Sequence, residues 1–341
     1  SCGFTNGRIK KRNNIQKKTK TKNINKKSNL PPLGQKKNQK TFMDFLKRLF
    51  FGKKAVEQNK TSFKDFVKEI SIVLIIFLIL NSFVLASFEV PTGSMENTVM
   101  TGDFLFVNKF IYGGTSPRTI PFTSYRIPWF RIPGFREVKR QDVIVFEFPG
   151  NRDEVKPEFV YYLKRCIALP GDTLEIRNKV VYVNNELQPT PKHMKFENPY
   201  IQPKGIKNEN IFPPLSNFNE DNYGPIRIPK KGDTINLSIE NYPDWKIFIE
   251  REGHSTSTSG SFVLVDGKPT SKYIVEHDYY FGMGDNRDNS LDSRFWGFIP
   301  KENIVGTPMI VYWSWDPNIP LFDIFKKLSS IKFKRIGTII N

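Results

Sequence analysis

A serine and a lysine, far apart in the chain, stand in contexts that suit acyl-transfer chemistry. Ser94 follows a glycine in the segment VPTGSM (residues 90–95). A serine after a glycine-containing turn is exposed and uncrowded, as a nucleophile must be. Most serines in such turns are ordinary turn residues, so the chemistry depends on a second group that can take the hydroxyl proton.

Lys164 is the candidate for that second group. It lies in VYYLKRCIA (residues 160–168), which has the composition of a strand. Since alternate strand residues share a face, the neighbours of Lys164 on its face are Val160, Tyr162, Cys166 and Ala168. Burial there disfavours the ammonium and lowers the lysine pKa from about 10.4, towards a neutral amine that accepts a proton. The alternative is an amine that reaches the surface or pairs with a carboxylate.

A third segment, GMGDNRDNSLDSRFWG (residues 282–297), is dense in Gly, Asp, Asn, Ser and Arg. Such a segment is a solvated loop, a cation-binding loop or a hydrogen-bonded framework around a site. Its carboxylates at Asp285, Asp288 and Asp292 lack the terminal glutamate of an EF-hand. The chain has three histidines and neither His-Glu-x-x-His nor Cys-x-x-Cys, so we expect no metal site and no cofactor.

The positive charge of the chain is concentrated at its amino-terminal end. Residues 1–69 hold 20 of the 52 Lys and Arg but only 4 of the 34 Asp and Glu, whereas the remainder is nearly neutral. We expect the arm 1–69 to be largely disordered and attracted to anionic lipid headgroups. Nothing that reads bases accompanies the charge, so no nucleic-acid partner is expected. Two cysteines, Cys2 and Cys166, cannot staple 341 residues, and the core must be hydrophobic.

An apolar run, ISIVLIIFLILNSFVLASF, covers residues 70–88 without a charge. As a helix it would be about 28 Å long, close to the hydrocarbon thickness of a bilayer. We predict a single transmembrane signal-anchor helix here; a buried core helix and a cleavable signal peptide are the alternatives. The Lys and Arg before the run predict a cytoplasmic arm and an exported body.

The body after residue 89 has the pattern of a mainly β protein. Short runs rich in Val, Ile, Phe and Tyr are separated by turn signals, and no βαβ alternation occurs. The predicted strands cover residues 103–107, 142–148, 160–168, 173–176, 180–183, 262–265, 272–275 and 308–313. Between about 187 and 261 the composition shifts to Pro, Asn, Lys and Ser. We therefore predict a catalytic β domain (89–175 and 276–320) with a loop-rich inserted subdomain (176–275).

The order of these motifs resembles that of bacterial type I signal peptidase. The matching segments are PTGSM, YLKRCIALPGD and GDNRDNSLDSRFWGFIP, after an amino-terminal membrane helix. The resemblance implies an antiparallel β fold of signal-peptidase type and a membrane-bound serine endopeptidase without metal or cofactor. Its substrates would be secretory preproteins, cut at Ala-x-Ala-like sites at the bacterial cytoplasmic (inner) membrane. The amino terminus would be cytoplasmic and the catalytic domain on the other side.

The resemblance also assigns catalytic roles. Ser94 would be the nucleophile and Lys164 its general base, a Ser–Lys variant that needs no histidine. The backbone N–H of Ser94 and the hydroxyl of Thr92 would hold the oxyanion. Many relatives have serine where this chain has Thr92.

Supporting residues and a substrate pocket follow from the same alignment. Ser290 would hydrogen-bond to Lys164 and orient it. Asp292 and Arg294 would form a salt bridge with each other, and Arg165 would lie near this pair. Shallow apolar pockets would admit small side chains. The residues that would line them are Phe88, Val90, Val99, Tyr162 and Leu163, for each of which plain core packing is the alternative.

Two further stretches bear on the membrane. Residues 119–135 alternate aromatics, prolines and arginines, which fits an extended surface loop or a segment whose Trp129 and Phe130 enter the interface. The basic tail 321–341 is too charged to span a bilayer, and its pattern fits a helix lying on the surface. The residues on its apolar face would be Leu321, Ile324, Phe325 and Leu328, with Lys326, Lys327 and Lys332 elsewhere.

Three functions from different classes stand beside one another at this point. The first is the signal-peptide-cleaving enzyme. The second is a Ser–Lys autoprotease of the self-cleaving repressor type. Such a protein would be soluble and carry an amino-terminal DNA-binding domain, and the apolar run at 70–88 argues against it. The third is a catalytically silent, membrane-tethered β domain, for which neither Ser94 nor Lys164 is missing.

Overall fold

The computed structural model describes residues 63–119, 123, 125–155 and 159–340. Of the predicted basic arm, residues 1–62 lie outside the described residues, as does Cys2. From residue 63 onward the chain forms one compact unit.

The first element is a long apolar helix, α1 (Phe63–Phe83). By length and composition it could cross a membrane, since its 21 residues correspond to about 31 Å and only 6% of its most apolar window is buried. The prediction that helix continues to residue 88 is wrong. The chain leaves the helix at Phe83 and forms strand β1 (Leu85–Glu89), because pairing with a neighbouring strand overrides the local apolar pattern.

A seven-stranded antiparallel sheet carries the predicted chemistry and confirms the mainly β fold class. Its order is β1-β2-β16-β3-β4-β14-β15. The strands besides β1 are β2 (Asp103–Asn108), β3 (Val143–Glu147), β4 (Tyr161–Ala168), β14 (Tyr279–Met283), β15 (Ile299–Pro300) and β16 (Ile304–Ser314). Two strands lie at its edges, and β1 is one of them.

The alternation of side chains in β3 divides the core of this sheet in two. Val143 and Val145 pack into one hydrophobic cluster, together with residues of the Ser94 segment. Ile144 and Phe146 point the other way, into a second cluster that includes Cys166. Because both faces of β3 are covered, all five of its residues are buried, as in a central strand.

The inserted segment builds small sheets of its own. Its strands are β5 (Thr173–Arg177), β6 (Val180–Val183), β7 (Glu186–Leu187), β8 (Tyr223–Arg227), β9 (Thr234–Asn236), β10 (Thr256–Ser259), β11 (Phe262–Val265), β12 (Lys268–Pro269) and β13 (Lys272–Ile274). The boundary predicted at residue 176 falls inside β5, which pairs with β6 and β8 and so belongs to the insert. A helix, α2 (Tyr242–Arg251), also replaces the predicted loop, because Phe248 and Ile249 are buried against the insert's core.

After α3 (Ser293–Trp296) and β16, the tail forms the short helix α4 (Ile324–Ser329) and then returns to the sheet. The four apolar residues of the predicted face are exposed, but Lys327 is buried and its amine donates to the carbonyls of Asp316 and Ile319 at 2.7 Å. The single amphipathic helix predicted for 321–341 is therefore wrong. Backbone hydrogen bonds with Val311 and Met309 tie residues 337–340 to β16.

The loop that carries Trp129 and Phe130 folds back onto the end of α1. The Arg118 guanidinium lies 4.0 Å from the centre of the Trp129 ring, and the Phe130 ring is 5.7 Å from that of Phe83. Phe130 nevertheless remains 61% exposed. The loop is thus a packed element beside the helix end, with an aromatic side chain left on the surface.

Two glycines with the same backbone conformation give a matched test of the contact between β2 and the end of β16. Gly102 (φ +86°) and Gly232 (φ +87°) both lie in the left-handed region, but a Cβ at Gly102 would lie 2.0 Å from the Trp315 carbonyl oxygen, whereas Gly232 has open space. We expect Gly232→Ala to cost about 1 kcal/mol of strain and Gly102→Ala several kcal/mol more. Thermal unfolding of the detergent-solubilised chain measures both. Equal losses would contradict the tight packing at Gly102.

Candidate active site

The turn that carries Ser94 is held from below by buried apolar side chains. Val90 and Asp103 are joined by a backbone hydrogen bond of 2.9 Å, and the N–H groups of Thr98 and Val99 donate to the Met95 carbonyl. Met95 and Val99 are almost wholly buried in the cluster that also contains Val143 and Val145. This anchoring leaves Ser94 half-buried at the rim of a cavity.

Lys164 reaches Ser94 directly. Its Nζ lies 2.7 Å from Ser94 Oγ, and its side chain sits on β4 opposite Ile144 of β3. The glycine at 282 allows this close packing, because a Cβ there would lie 3.1 Å from the Lys164 Cβ. The structure thus brings together the two residues on which the predicted chemistry rests.

The lysine is buried, with 3% of its surface exposed. Desolvation lowers the pKa of Lys164 to about 8; the Asp292 carboxylate opposes this shift and the Arg294 guanidinium adds to it. The surface-lysine alternative is therefore wrong. A substantial fraction of such an amine is neutral near pH 8, and it can then accept a proton from the hydroxyl beside it.

Asp292 and Arg294 form the predicted salt bridge. Arg294 donates to both carboxylate oxygens, at 2.8 and 2.9 Å, and both side chains are almost completely buried. Burial would raise the pKa of Asp292, but the charge and hydrogen bonds of Arg294 outweigh it and hold that pKa below its usual range. Asp292 is therefore a carboxylate whose charge acts on Lys164.

Arg165, expected beside this pair, forms its ion pair with Asp285 instead. The two side chains make a two-point contact, from Nε to Oδ1 at 2.8 Å and from an Nη to Oδ2 at 2.7 Å. Asp285 also accepts a short hydrogen bond of 2.5 Å from the Thr98 hydroxyl, and the N–H of Asn286 donates to the Ser94 carbonyl at 3.1 Å. These contacts connect β4 and the third motif to the turn that carries Ser94.

Ser290 does not make the hydrogen bond to Lys164 that the resemblance implies. Its hydroxyl is buried and has no partner among the described residues. It is enclosed beside Gly284, where a Cβ would lie 2.2 Å from Ser290 Oγ and 2.5 Å from the Ser94 carbonyl. Ser290 therefore lies next to the turn that bears Ser94 and is not hydrogen-bonded to the lysine in this structure.

A cavity of about 360 Å³ opens at the Ser94 hydroxyl, and its lining is mainly apolar. All five predicted pocket residues line it: Phe88, Val90, Val99, Tyr162 and Leu163. Val90 and Val99 also belong to the buried core, so for them both alternatives hold. Thr92 lines the same cavity and is exposed, and within the described ranges the Ser94 N–H donates to no protein acceptor.

The cavity also contains residues that sequence reasoning did not single out. Among them are Met95, Leu105, Val145, Asn289 and Leu291. Two of these carried a readable signal, because Leu105 and Val145 point to one face of predicted strands. Asn289 and Leu291 carried none, since their approach to the cavity depends on how a loop folds across the sheet. Across the described part of the chain, no cluster of three or more His, Cys, Asp or Glu side chains could hold a metal ion.

The amino-acid sequence of the chain is similar to those of known proteins. The family model described as signal peptidase, peptidase S26, matches residues 63–313. Signal peptidase I of Buchnera aphidicola subsp. Schizaphis graminum is 31% identical over 84% of this chain and 85% of its own. Those of Rickettsia typhi (31%; 82% and 94%) and Pseudomonas aeruginosa (30%; 78% and 76%) are similar over comparable shares.

Burial of Lys164 predicts a pH-dependent gain in stability when it is removed. The folded-state pKa of about 8 lies below the 10.5 of an unperturbed lysine, so folding costs free energy below pH 8 and the cost disappears by pH 10.5. Lys164→Met should therefore raise the unfolding free energy at pH 7, by up to about 3 kcal/mol less the lost hydrogen bond to Ser94. Thermal unfolding at pH 7 and pH 10.5 compares variant and wild type.

The matched control is Lys268→Met, at an exposed position where removal of the amine relieves no burial. It should change stability little at either pH. A Lys164→Met variant that is less stable than wild type at pH 7, or a gain independent of pH, would contradict a desolvated amine.

Proposed function

Since the chain belongs to the signal peptidase family, peptidase S26, we propose that it is a membrane-anchored serine endopeptidase that removes signal peptides from secretory preproteins. The observation that carries this proposal is the 2.7 Å contact between Lys164 Nζ and Ser94 Oγ at the mouth of an apolar cavity. Family membership favours this function over a self-cleaving repressor, and the intact contact favours it over a silent scaffold.

The first chemical step is proton transfer from Ser94 to Lys164. The neutral amine takes the hydroxyl proton while Ser94 Oγ attacks the carbonyl carbon of the scissile bond. The ammonium that forms is stabilised by Asp292, whose charge raises the pKa of Lys164. Lys164 then returns the proton to the leaving amine, which breaks the C–N bond and leaves an acyl-enzyme on Ser94.

Negative charge develops on the carbonyl oxygen during this attack. The backbone N–H of Ser94, which has no protein acceptor among the described residues, and the exposed hydroxyl of Thr92 are the donors at the cavity mouth. Donors placed for the oxyanion lower the activation barrier of serine peptidases by a few kcal/mol. Lys164 next takes a proton from a water molecule while the water oxygen attacks the acyl carbon. The ester C–O bond then breaks, Lys164 returns the proton to Ser94 Oγ, and the acid product leaves the free enzyme.

Two open strand edges indicate how an extended substrate binds. The outer edge of β1 is unpaired, and the edge of β4 over residues 161–164 has no partner among the described strands. Both border the cavity. A preprotein segment lies between them by strand addition and places alternate side chains in the apolar cavity, which suits small residues such as those of Ala-x-Ala.

The helix α1 supplies the membrane anchor in this proposal. It ends at Phe83, directly before β1, and the Lys109 amine donates to the Asn81 carbonyl at 3.3 Å, so the β domain begins where the span ends. The excess of Lys and Arg in residues 1–69 favours an arm on the cytoplasmic side and the β domain on the outer side of the bacterial cytoplasmic membrane. The bilayer is therefore a partner, besides the preproteins.

The assignment of nucleophile and base predicts large, non-additive losses on substitution. Ser94→Ala, Lys164→Ala and the double variant should each reduce processing of a preprotein by more than about a hundredfold, with the double variant no worse than the singles. The detergent-solubilised chain is incubated with preprotein and cleavage is quantified by gel. Ser261→Ala and Lys268→Ala, both exposed, are the controls. Should Ser94→Ala keep more than about a hundredth of wild-type turnover, the nucleophile would be misassigned.

The pKa of Lys164 also sets the pH dependence of the reaction. Only the deprotonated amine acts as base, so kcat/KM should rise with pH through about 8, the folded-state pKa. Initial rates at subsaturating preprotein between pH 6 and 10.5 give the profile. A rate that rises only near about pH 10.4 would mean that the base is a solvated lysine.

A further inference from the structure

The tail after β16 contacts the turn that carries Ser94 (residues 94–103, the nucleophile turn) through the Lys332 amine, the buried Ile340 side chain and, at two points, the Arg335 guanidinium. We propose that Arg335 is a positioning residue for Ser94: its guanidinium, together with Asp103, fixes the turn 94–103 so that Ser94 Oγ stays in line with Lys164. The inference rests on the proposed function, since it takes Ser94 as the nucleophile. It adds a residue outside 63–313, the part matched by the family model.

Arg335 makes four hydrogen bonds with the turn, the longest from Nε to Asp103 Oδ1 at 3.5 Å. One Nη donates to Asp103 Oδ2 at 2.6 Å, and Nε donates to the same oxygen at 3.2 Å. The same Nη also donates to the Thr98 carbonyl at 3.3 Å. One guanidinium thus holds two points of the turn at once, and its planar fork fixes the direction of each hydrogen bond, which the freely rotating amine of lysine does not.

Asp103 links Arg335 to the chain segments on either side of Ser94. Its side chain is completely buried and also accepts the N–H of Met100 at 2.8 Å. Its backbone carbonyl accepts the N–H of Val90 at 2.9 Å. Asp103 therefore joins the two chain segments that flank the nucleophile, one before and one after Ser94, and Arg335 neutralises its buried charge.

Thr98 is the second residue that links Arg335 to the Ser94 segment. Its N–H donates to the Met95 carbonyl, next to Ser94, and its hydroxyl donates to Asp285. Arg335 binds the Thr98 carbonyl and Asp285 binds the Thr98 hydroxyl. The backbone turn from Met95 to Thr98, directly after Ser94, is therefore held by the tail on one side and by the third motif on the other. The loss of one side leaves the turn attached but free to shift.

The tail does not depend on Arg335 for its own place. Ile340 is buried in the same cluster as Met95 and Val99, and the Lys332 amine donates to the Thr101 carbonyl at 3.2 Å. Backbone hydrogen bonds at Val311 tie the strand β16 to Gly337 and Thr338. Substitution of Arg335 therefore removes its hydrogen bonds to Asp103 and Thr98, while the tail stays on the sheet.

The test is steady-state processing of a preprotein by the full-length chain carrying Arg335→Gln. A displacement of about 1 Å in a reacting group far from the substituted side chain can cost a hundredfold in rate. We expect kcat to fall about 10- to 100-fold with KM within about twofold, because the cavity that binds substrate is untouched. Arg335→Lys, which keeps the charge but not the fork, should lie between wild type and Arg335→Gln. The matched control is Lys334→Gln, one residue away and exposed, which should behave as wild type.

The pH profile separates positioning from general loosening. If Arg335 only positions Ser94, the pH at half-maximal rate stays near that of wild type, because the burial of Lys164 does not change. A loosened fold would admit water to Lys164, move that pH upward and lower the thermal unfolding midpoint in step with activity. Either that joint shift or a kcat within twofold of Lys334→Gln would overturn the proposal.

Ser94→Ala in the same assay distinguishes the two levels of inference. If Ser94→Ala is inactive and Arg335→Gln is fully active, only the positioning role fails. If Ser94→Ala is active, the proposed function itself fails, and with it the premise of this inference.

Discussion

The chemistry depends on one buried amine, since Lys164 must give up its proton near neutral pH while it stays 2.7 Å from Ser94 Oγ. Desolvation is the largest cause of its lowered pKa, and Asp292 and Arg294 act on that pKa in opposite directions. An ion pair placed there can therefore brace the third motif, while its carboxylate favours and its guanidinium disfavours the charged form of the amine. The antiparallel sheet supplies the burial, because β4 has β3 on one side and β14 on the other, and Gly282 lets the next strand approach closely.

The nucleophile needs a different kind of support, because it lies on a turn and not on a strand. Apolar burial of Met95 and Val99 fixes the base of the turn. Directional contacts then come from parts of the chain that are far away in sequence: Asn286 donates to the Ser94 carbonyl, and Asp285 accepts from Thr98. Such a turn is only as rigid as the elements that hold it. This is why the third motif must be polar and buried at once, and why its two buried carboxylates, Asp285 and Asp292, are paired with arginines.

Local pattern was enough to predict most strands of the sheet and to mark Ser94 and Lys164 separately as candidates, because alternation and turn residues report on backbone and burial. The resemblance to a known family joined the two as a pair. What local pattern could not predict depends on long-range contacts. The apolar run continued to Phe88 in sequence, but pairing with β2 decided where the helix ends. Lys327 has the composition of a surface residue and is buried over Trp315 because two carbonyls accept its protons. The missing contact between Ser290 and Lys164 is of the same kind, since the position of that serine is set by packing against Gly284.

An exposed strand edge is usually a liability, and the described part of this domain has two beside Ser94 and Lys164. The proposed function gives that arrangement a purpose. A folded protein cannot offer a segment extended on both edges, so the gap between β1 and β4 selects against folded substrates before any side chain is read. The apolar cavity then needs only to exclude large residues at a few positions, for which shallow pockets suffice. In the proposed function, location supplies the rest of the selectivity, because α1 acts as an anchor that holds the site at the surface where signal peptides leave the bilayer. Broad recognition and restricted position are thus two parts of one solution, and neither alone would protect other exported proteins from cleavage.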